Sequence, residues 1–322
     1  MHKISRKKIA IFLMGPTAVG KTKLAICLRK FLPVEIISVD SALIYRDMNI
    51  GTGKPDPEVL RSVPHRLVNI KDPSEYYSVA NFCSEAKIEM KKIYQQEHVP
   101  LLVGGSMLYF KALLNGLSPL PSADNFIRKY IQQKADHKGW NYIYQQISII
   151  DPISAKFIHP NDYQRLSRAL EVFLVSGKTL SFLKKTSGQK LPYEIVQFIL
   201  APSCKDNLYR RIDHRFLKFI HNNFEGEVQK LIERGDLNVN MPSMRSVGYR
   251  QMWSYIQGNI SYIDMINQSI FATRHLAKHQ FTWLNKWPKQ NLYWIDSNEF
   301  NLELTCNKVL QIIKTYYPNY FQ

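Results

Sequence analysis

Gly15, Pro16, Thr17, Ala18, Val19, Gly20, Lys21 and Thr22 carry the spacing GxxxxGK[ST], and each part answers one need of a bound phosphate. The glycines let backbone N–H groups turn toward the oxygens, and the start of the next helix adds partial positive charge. Lys21 neutralises an oxygen, and the Thr22 hydroxyl can hold Mg2+. The bland alternative is a strand, a turn and a helix with a solvated lysine. A second candidate is Asp40, which closes the run Ile37-Ser38-Val39-Asp40. A lone carboxylate there suits a general base, and equally a helix N-cap or a metal ligand. The third is Gly104-Gly105-Ser106, where a glycine pair and a hydroxyl suit another phosphate oxygen or form an ordinary turn capped by Ser106. Phosphate or pyrophosphate chemistry is implied, but not which reaction, since most chains with such a loop are kinases or NTPases.

These groups need elements that bring them to one edge. Short apolar runs at 9–13, 35–39 and 99–103 each end in a polar or Gly-rich loop, with helical stretches at 22–31 and 79–95 between them. That alternation predicts a parallel α/β sheet with ligands at the C-terminal ends of its strands. Pro119 and Pro121 punctuate the chain, and the pattern is then helical, which predicts a helical insertion over 121–190 in a core built from 1–120 and 191–322. A strand at 194–200 returns to the sheet, and helices are predicted at 207–233, 248–257 and 262–284. The fold class expected is α/β: a P-loop-type parallel sheet flanked by helices, with an inserted helical subdomain.

The composition limits the function classes. With 322 residues, 45% apolar and 21% charged, the chain has ordinary globular usage rather than that of a disordered protein. Lys and Arg number 43 against 26 Asp and Glu, a net charge of +17, which points to a polyanionic partner. Only six apolar residues separate the basic run Met1 to Lys8 from Gly15, and no apolar run reaches membrane-spanning length, so neither a signal peptide nor a membrane partner is expected. Cys27, Cys83, Cys204 and Cys306 lie far apart without a CxxC pair, which argues against a disulfide framework or zinc site and fits the cytoplasm.

Several further motifs occur in order with these. They include ISVDSALIYRDMNIGTGKP at 37–55, DPSEYYS at 72–78 and LLVGGSMLYFKALL at 101–114. LSPLPSAD at 117–124, HPNDYQRLSRALEV at 159–172, RSVGYRQMW at 245–253 and RHLAKHQFTWL at 274–284 complete the set. Over nearly its whole length the chain resembles the tRNA dimethylallyltransferases, which move a dimethylallyl group from its pyrophosphate onto an adenosine of tRNA. The resemblance implies that the phosphate loop, with Lys21 and Mg2+ near Thr22, holds the pyrophosphate of dimethylallyl pyrophosphate. An arginine of the 211–215 stretch assists, Arg215 in preference to Arg211. Asp40 accepts a proton from the adenine amine, with Ser106 alongside, and the base leaves its stack to reach them. The tRNA anticodon arm is implied to meet Asp40, Ser41, Ala42 and Leu43; Gln164, Arg165, Leu166, Ser167 and Arg168; Arg245, Ser246, Val247, Gly248, Tyr249 and Arg250; and Lys278 and His279 on the C-terminal helix. The target is the adenosine 3′ to the anticodon, and a monomer is expected.

The chain departs from the family pattern in places. Serine stands at 106 where threonine is usual, which keeps the hydroxyl and loses its methyl. His279 and Asn285 stand for arginines and His275 for a glutamine, so the charge facing RNA is lower and partly pH-dependent. His275 and His279 have metal-ligand spacing without a third ligand. Phe281, Trp283 and Trp287 are expected in the core rather than as a base-stacking platform. The rival readings are a small-molecule kinase, an isopentenyltransferase acting on free adenine nucleotides, and an RNA-binding protein using its phosphate loop as a switch.

Overall fold

The structure, a computed structural model, describes residues 8–186, 188–298 and 300–318. Most of the basic N-terminal run lies outside them. Six strands, β1 (Ile9–Met14), β2 (Val34–Val39), β3 (His65–Arg66), β4 (Val99–Gly104), β5 (Glu194–Ala201) and β6 (Leu292–Asp296), form one parallel sheet in the order β3-β2-β4-β1-β5-β6. β1 and β4 are buried at every position, as parallel strands covered on both faces must be. The helices are α1 (Lys21–Arg29), α2 (Pro57–Ser62), α3 (Val79–Gln95), α4 (Met107–Asn115), α5 (Asn125–Lys138), α6 (Trp140–Ile150) and α7 (Pro152–Ala155). They continue as α8 (Tyr163–Ser176), α9 (Leu180–Lys185), α10 (Lys205–His221), α11 (Phe224–Glu233), α12 (Tyr249–Ile256), α13 (Tyr262–Asn285) and α14 (Leu302–Tyr316). No helix among the described residues is long and apolar enough to cross a membrane.

Strand register sets the chemistry. Gly104 pairs with Met14 on one side and with Val39 on the other, so β1, β4 and β2 end level. Gly15, Gly105 and Asp40 therefore leave adjacent strands at one edge. A Cβ on Gly104 would lie 2.0 Å from the Val39 carbonyl oxygen, so this glycine answers a packing need between β2 and β4. The reading of the pair as a phosphate cradle is not required to explain it. Alternate side chains Ile9, Ile11 and Leu13 share a core with Leu24 and Leu28 of α1 and Val309 and Ile313 of α14, the period-two face of a strand against helical stripes.

A second core gathers Tyr45, Phe216, Phe224, Tyr249, Met252 and Met265. It holds the 45–54 segment through two charged anchors. Glu227 accepts from the N–H groups of Asn49, Ile50 and Gly51 at 2.9, 2.8 and 3.2 Å and from the Tyr249 hydroxyl at 2.6 Å. The buried Lys54 ammonium donates to Tyr45 O, Asn49 Oδ1 and Asn69 Oδ1.

The sequence expectation fails at three points. The 207–233 helix is two, α10 and α11, because Asn223 adopts φ 64° and its side chain accepts from Gly226 N to cap a new start. Asparagine tolerates the left-handed region and competes for backbone donors. β3 and β6 were not anticipated: one has two residues and the other is a five-residue edge strand with Trp294 half exposed, too short for a clear period. Nor was α14, which completes the layer over α1.

Lys111–Leu191 forms a compact helical unit, and the flanking described residues form the other. The helical unit has its own core of Ile131, Ile143, Ile147, Leu166 and Val172. Glu171, 1% exposed, accepts from Asp124 N, Arg128 Nε and Arg168 Nη1 at 2.8, 2.9 and 2.8 Å. Burial pushes its carboxyl pKa up, but the hydrogen bonds from Arg168, Asp124 and Arg128 outweigh it and the net shift is downward. Its stabilisation is thus complete above the ordinary carboxylate range and lost as pH falls through the folded value. Glu171→Ala should cost about 3 kcal/mol at neutral pH, read as a lower urea midpoint, and the difference from the parent should narrow below about pH 4.

Candidate active site

The phosphate loop leaves β1 at Gly15 and enters α1 through Gly20, whose φ of 96° is the left-handed turn that aims the helix start at the loop. A cavity of about 510 Å³ opens over it, lined by Thr17 to Lys23, Asp40, Thr52, Arg211 and Arg215 among others. The Lys21 ammonium donates to Pro16 O at 2.7 Å. Burial first, and the Arg215 guanidinium second, pull its pKa down to about 7, with Asp40 opposing. Arg215 donates to Thr17 Oγ1 and to Thr52 O, both at 3.0 Å, and lies 5.2 Å from the Phe219 ring centre. Arg211 donates to Asn298 O at 2.6 Å and lines the same cavity further out. Thr22 is exposed at its rim.

A second cavity of about 590 Å³ adjoins it, walled by Tyr45, Tyr77, Tyr109, Phe216, Phe219 and Trp283, with Ser41, Ser106, Arg245, Ser246 and His279 as polar groups. Burial pushes the Tyr45 phenol up to about 12, with Glu75 and Tyr76 adding to it. Tyr77 and Tyr109 are also raised, mainly by burial, so these walls stay neutral. Thr17, Asp40, Thr52, Gly105, Arg215 and Gln280 line both cavities. This strip is where a group leaving one side could meet a group entering from the other.

Asp40 Oδ1 accepts from Ala42 N and Leu43 N at 2.8 and 3.2 Å, so the capping geometry is real. Oδ2 has no hydrogen-bond partner among the described residues and can accept a proton or ligate. The carboxylate thus caps a turn and keeps a reactive oxygen. Ser106 follows β4 with its N–H on Val39 O at 3.3 Å, and its hydroxyl has no partner among the described residues. No group of three or more His, Cys, Asp or Glu side chains suited to a metal occurs among the described residues. His275 and His279 instead meet edge to face at 4.3 Å.

The stretches matched to RNA contact separate on inspection. Ser41, Ala42, Arg245, Ser246, Val247 and His279 line the aromatic cavity, whereas Leu43 lines the phosphate one. Arg250 and Lys278 are exposed. Tyr249 is buried and bonded to Glu227 but also lines the aromatic cavity, and Gly248 beside it is buried. In the helical unit Gln164 is exposed, Ser167 is half-buried and the Arg165 side chain is 70% exposed beside Asp162. Leu166, fully buried, is a core residue rather than an RNA contact. Arg168 is engaged by Glu171 and by Pro121 O at 2.8 and 2.7 Å; it organises the unit's own fold. Phe281 and Trp287 pack in the core, but Trp283 lines the cavity.

Gln280 went unassigned. It lies between Ala277 and Leu284 on the buried stripe of α13, and a polar residue at an apolar position of the helical period was the available signal. The aromatic walls carry no such signal, because Tyr and Phe at these positions read as core.

The model of the family described as IPP transferase matches residues 43–287. The fold is similar to the tRNA isopentenylpyrophosphate transferase of Bacillus halodurans, with 34% identity, 96% of each chain covered and a TM-score of 0.70. It is similar also to the tRNA delta(2)-isopentenylpyrophosphate transferase of Staphylococcus epidermidis, with 30% identity, 96% of this chain and 100% of that one covered, and a TM-score of 0.67. A eukaryotic dimethylallyltransferase acting on tRNA has the same fold at 24% identity, covering 95% of this chain and 78% of that one with a TM-score of 0.81. With the motifs, the two-cavity site and the family match in agreement, the chain belongs to the IPP transferase family of tRNA prenyltransferases.

Proposed function

We propose that the protein transfers the dimethylallyl group of dimethylallyl pyrophosphate to the exocyclic N6 amine of the adenosine 3′ to the anticodon in tRNA, releasing pyrophosphate. The observation that carries this is the meeting of a cationic cavity over the phosphate loop and a cavity with neutral aromatic walls along a strip containing Asp40 and Arg215. The net charge of +17 supports a polyanionic acceptor, and the related structures at 34% and 30% identity are tRNA isopentenylpyrophosphate transferases. The protein works as a monomer in the cytoplasm, where its thiols stay reduced.

Lys21 and Arg215 bind the pyrophosphate and stabilise the charge it gains as the allylic C–O bond breaks. The aromatic walls hold the dimethylallyl chain and exclude water. Asp40 Oδ2 takes the proton from the N6 amine, a poor nucleophile without a placed base, and the Ser106 hydroxyl orients that amine. Ser41, Ala42, Arg245 and His279 border the base, with Lys278, Arg250 and, in the helical unit, Gln164 and Arg165 toward RNA. For Mg2+ the chain offers the exposed Thr22 hydroxyl and no ready cluster of carboxylates among the described residues. This fits an ion completed by donor phosphate oxygens and water, and its charge would add to that of Lys21 and Arg215.

Three outcomes are expected. Incubation with labelled dimethylallyl pyrophosphate and either bulk tRNA or AMP, followed by nucleoside mass spectrometry, should give isopentenyladenosine from tRNA alone; product from AMP would overturn the choice of acceptor. Asp40→Asn should bind donor and tRNA almost normally while single-turnover transfer falls about 10²–10⁴-fold; rescue by raised Mg2+ would assign Asp40 to metal instead. Lys21 in the free protein loses its proton as pH rises through about 7, whereas bound pyrophosphate favours the ammonium and raises that pKa. Pyrophosphate affinity should therefore be full below this pH and fall by up to about tenfold per unit above it. Calorimetry near pH 8 in buffers of different ionisation enthalpy should show proton uptake that Lys21→Met removes.

A further inference from the structure

Gln280 is 8% exposed on α13 and makes two hydrogen bonds with different clients. Its Oε1 accepts from Thr17 N at 2.9 Å, and its Nε2 donates to Gly105 O at 3.0 Å. The amide orientation is forced, because a backbone N–H can only donate and a carbonyl can only accept. Thr17 and Gly105 follow β1 and β4, which are neighbours in the sheet. Beyond the strand ends no backbone hydrogen bond joins the two loops among the described residues, so Gln280 supplies the bridge. Thr17 also receives Arg215 on its hydroxyl, and Gly105 immediately precedes Ser106. One end of the bridge thus reaches the group that grips pyrophosphate, and the other reaches the turn facing the acceptor. A Cβ on Gly105 would lie 2.4 Å from Gln280 Nε2, so the second glycine of the pair leaves room for this amide.

We infer that Gln280 is a positioning residue, setting the leaving-group loop against the acceptor turn so that the N6 amine is in line when the allylic C–O bond breaks. The inference rests on the prenyl-transfer reading above. In the normal reaction pyrophosphate departs with the electron pair of that bond, N6 bonds to the allylic carbon, and the amine proton goes to Asp40. When the two loops lose register, water takes the place of the amine. Its oxygen bonds to the allylic carbon and loses a proton to solvent, giving dimethylallyl alcohol and pyrophosphate.

The test is the ratio of dimethylallyl alcohol to prenylated nucleoside formed by the full-length protein from labelled donor and tRNA. This ratio does not depend on how much of a variant is folded. Gln280→Met keeps the length and loses both bonds; Gly105→Ala pushes the same amide from the other side. Each should raise the ratio about tenfold or more while turnover falls about 10–100-fold and the donor KM changes less than about threefold. Gln280→Glu keeps the acceptor for Thr17 N but brings negative charge to the pyrophosphate, so it should raise donor KM as well. Alcohol and prenylated nucleoside falling together in Gln280→Met, with an unchanged ratio, would overturn the inference and leave only a structural role. A parent protein that prenylates no tRNA would overturn the functional reading, and the inference with it.

Discussion

Two cations held side by side before any anion arrives are the constraint around which this site is arranged. Lys21 and Arg215 repel one another in a half-buried cavity, and Asp40 is the carboxylate that offsets them. Each therefore needs neutral oxygens at fixed places: Pro16 O for the lysine, Thr17 Oγ1 and Thr52 O for the arginine. The Thr52 carbonyl is fixed in turn because Glu227 gathers three successive N–H groups of the 49–51 turn, and Lys54 ties the end of that segment back to Tyr45. A carboxylate on α11 thus governs where a guanidinium on α10 can point. On the function proposed above, preorganisation of this kind would leave little rearrangement for the moment when charge develops on the leaving group.

The central sheet was legible because its strands are short, mostly apolar runs, several of them followed by glycine, aspartate or serine, and the register brings Gly15, Asp40 and Gly105 to one edge. α3 matched its expected span of 79–95, helped by the Ser78 and Asn81 capping box. What escaped were elements whose signal is tertiary. β6 gains its pairing only by lying against β5, and the α10–α11 break depends on a left-handed asparagine that local pattern reads as helix.

The site shows the same division. Motif spacing picked out Lys21, Asp40 and Ser106, the family resemblance added Arg215, and all four line the two cavities. Neither could tell how each side chain is committed. Arg168 and Arg165 look alike in one dimension, yet the first is held by Glu171 and Pro121 O while the second stands 70% exposed. Leu166 sits within a motif because the motif's backbone must be held by a core. Trp283 escaped in the opposite sense, a residue of apolar character that lines the cavity.

The flanking unit draws its strands from both sides of the helical one, and this affects when the protein can act during its own synthesis. The helical unit has its own local core, a topology that closes quickly once its 81 residues, Lys111–Leu191, are made. The phosphate loop emerges first but waits longest. β1 lacks its β5 neighbour until residue 199, Thr17 lacks Arg215 and then Gln280, and α1 stays uncovered until α14 is complete. A nascent chain thus carries an exposed apolar sheet face for most of its translation, the situation in which chains are vulnerable to misassembly. It also cannot assemble its paired cations early, because Arg215 reaches Thr17 only after α10 is made and Gln280 only after α13.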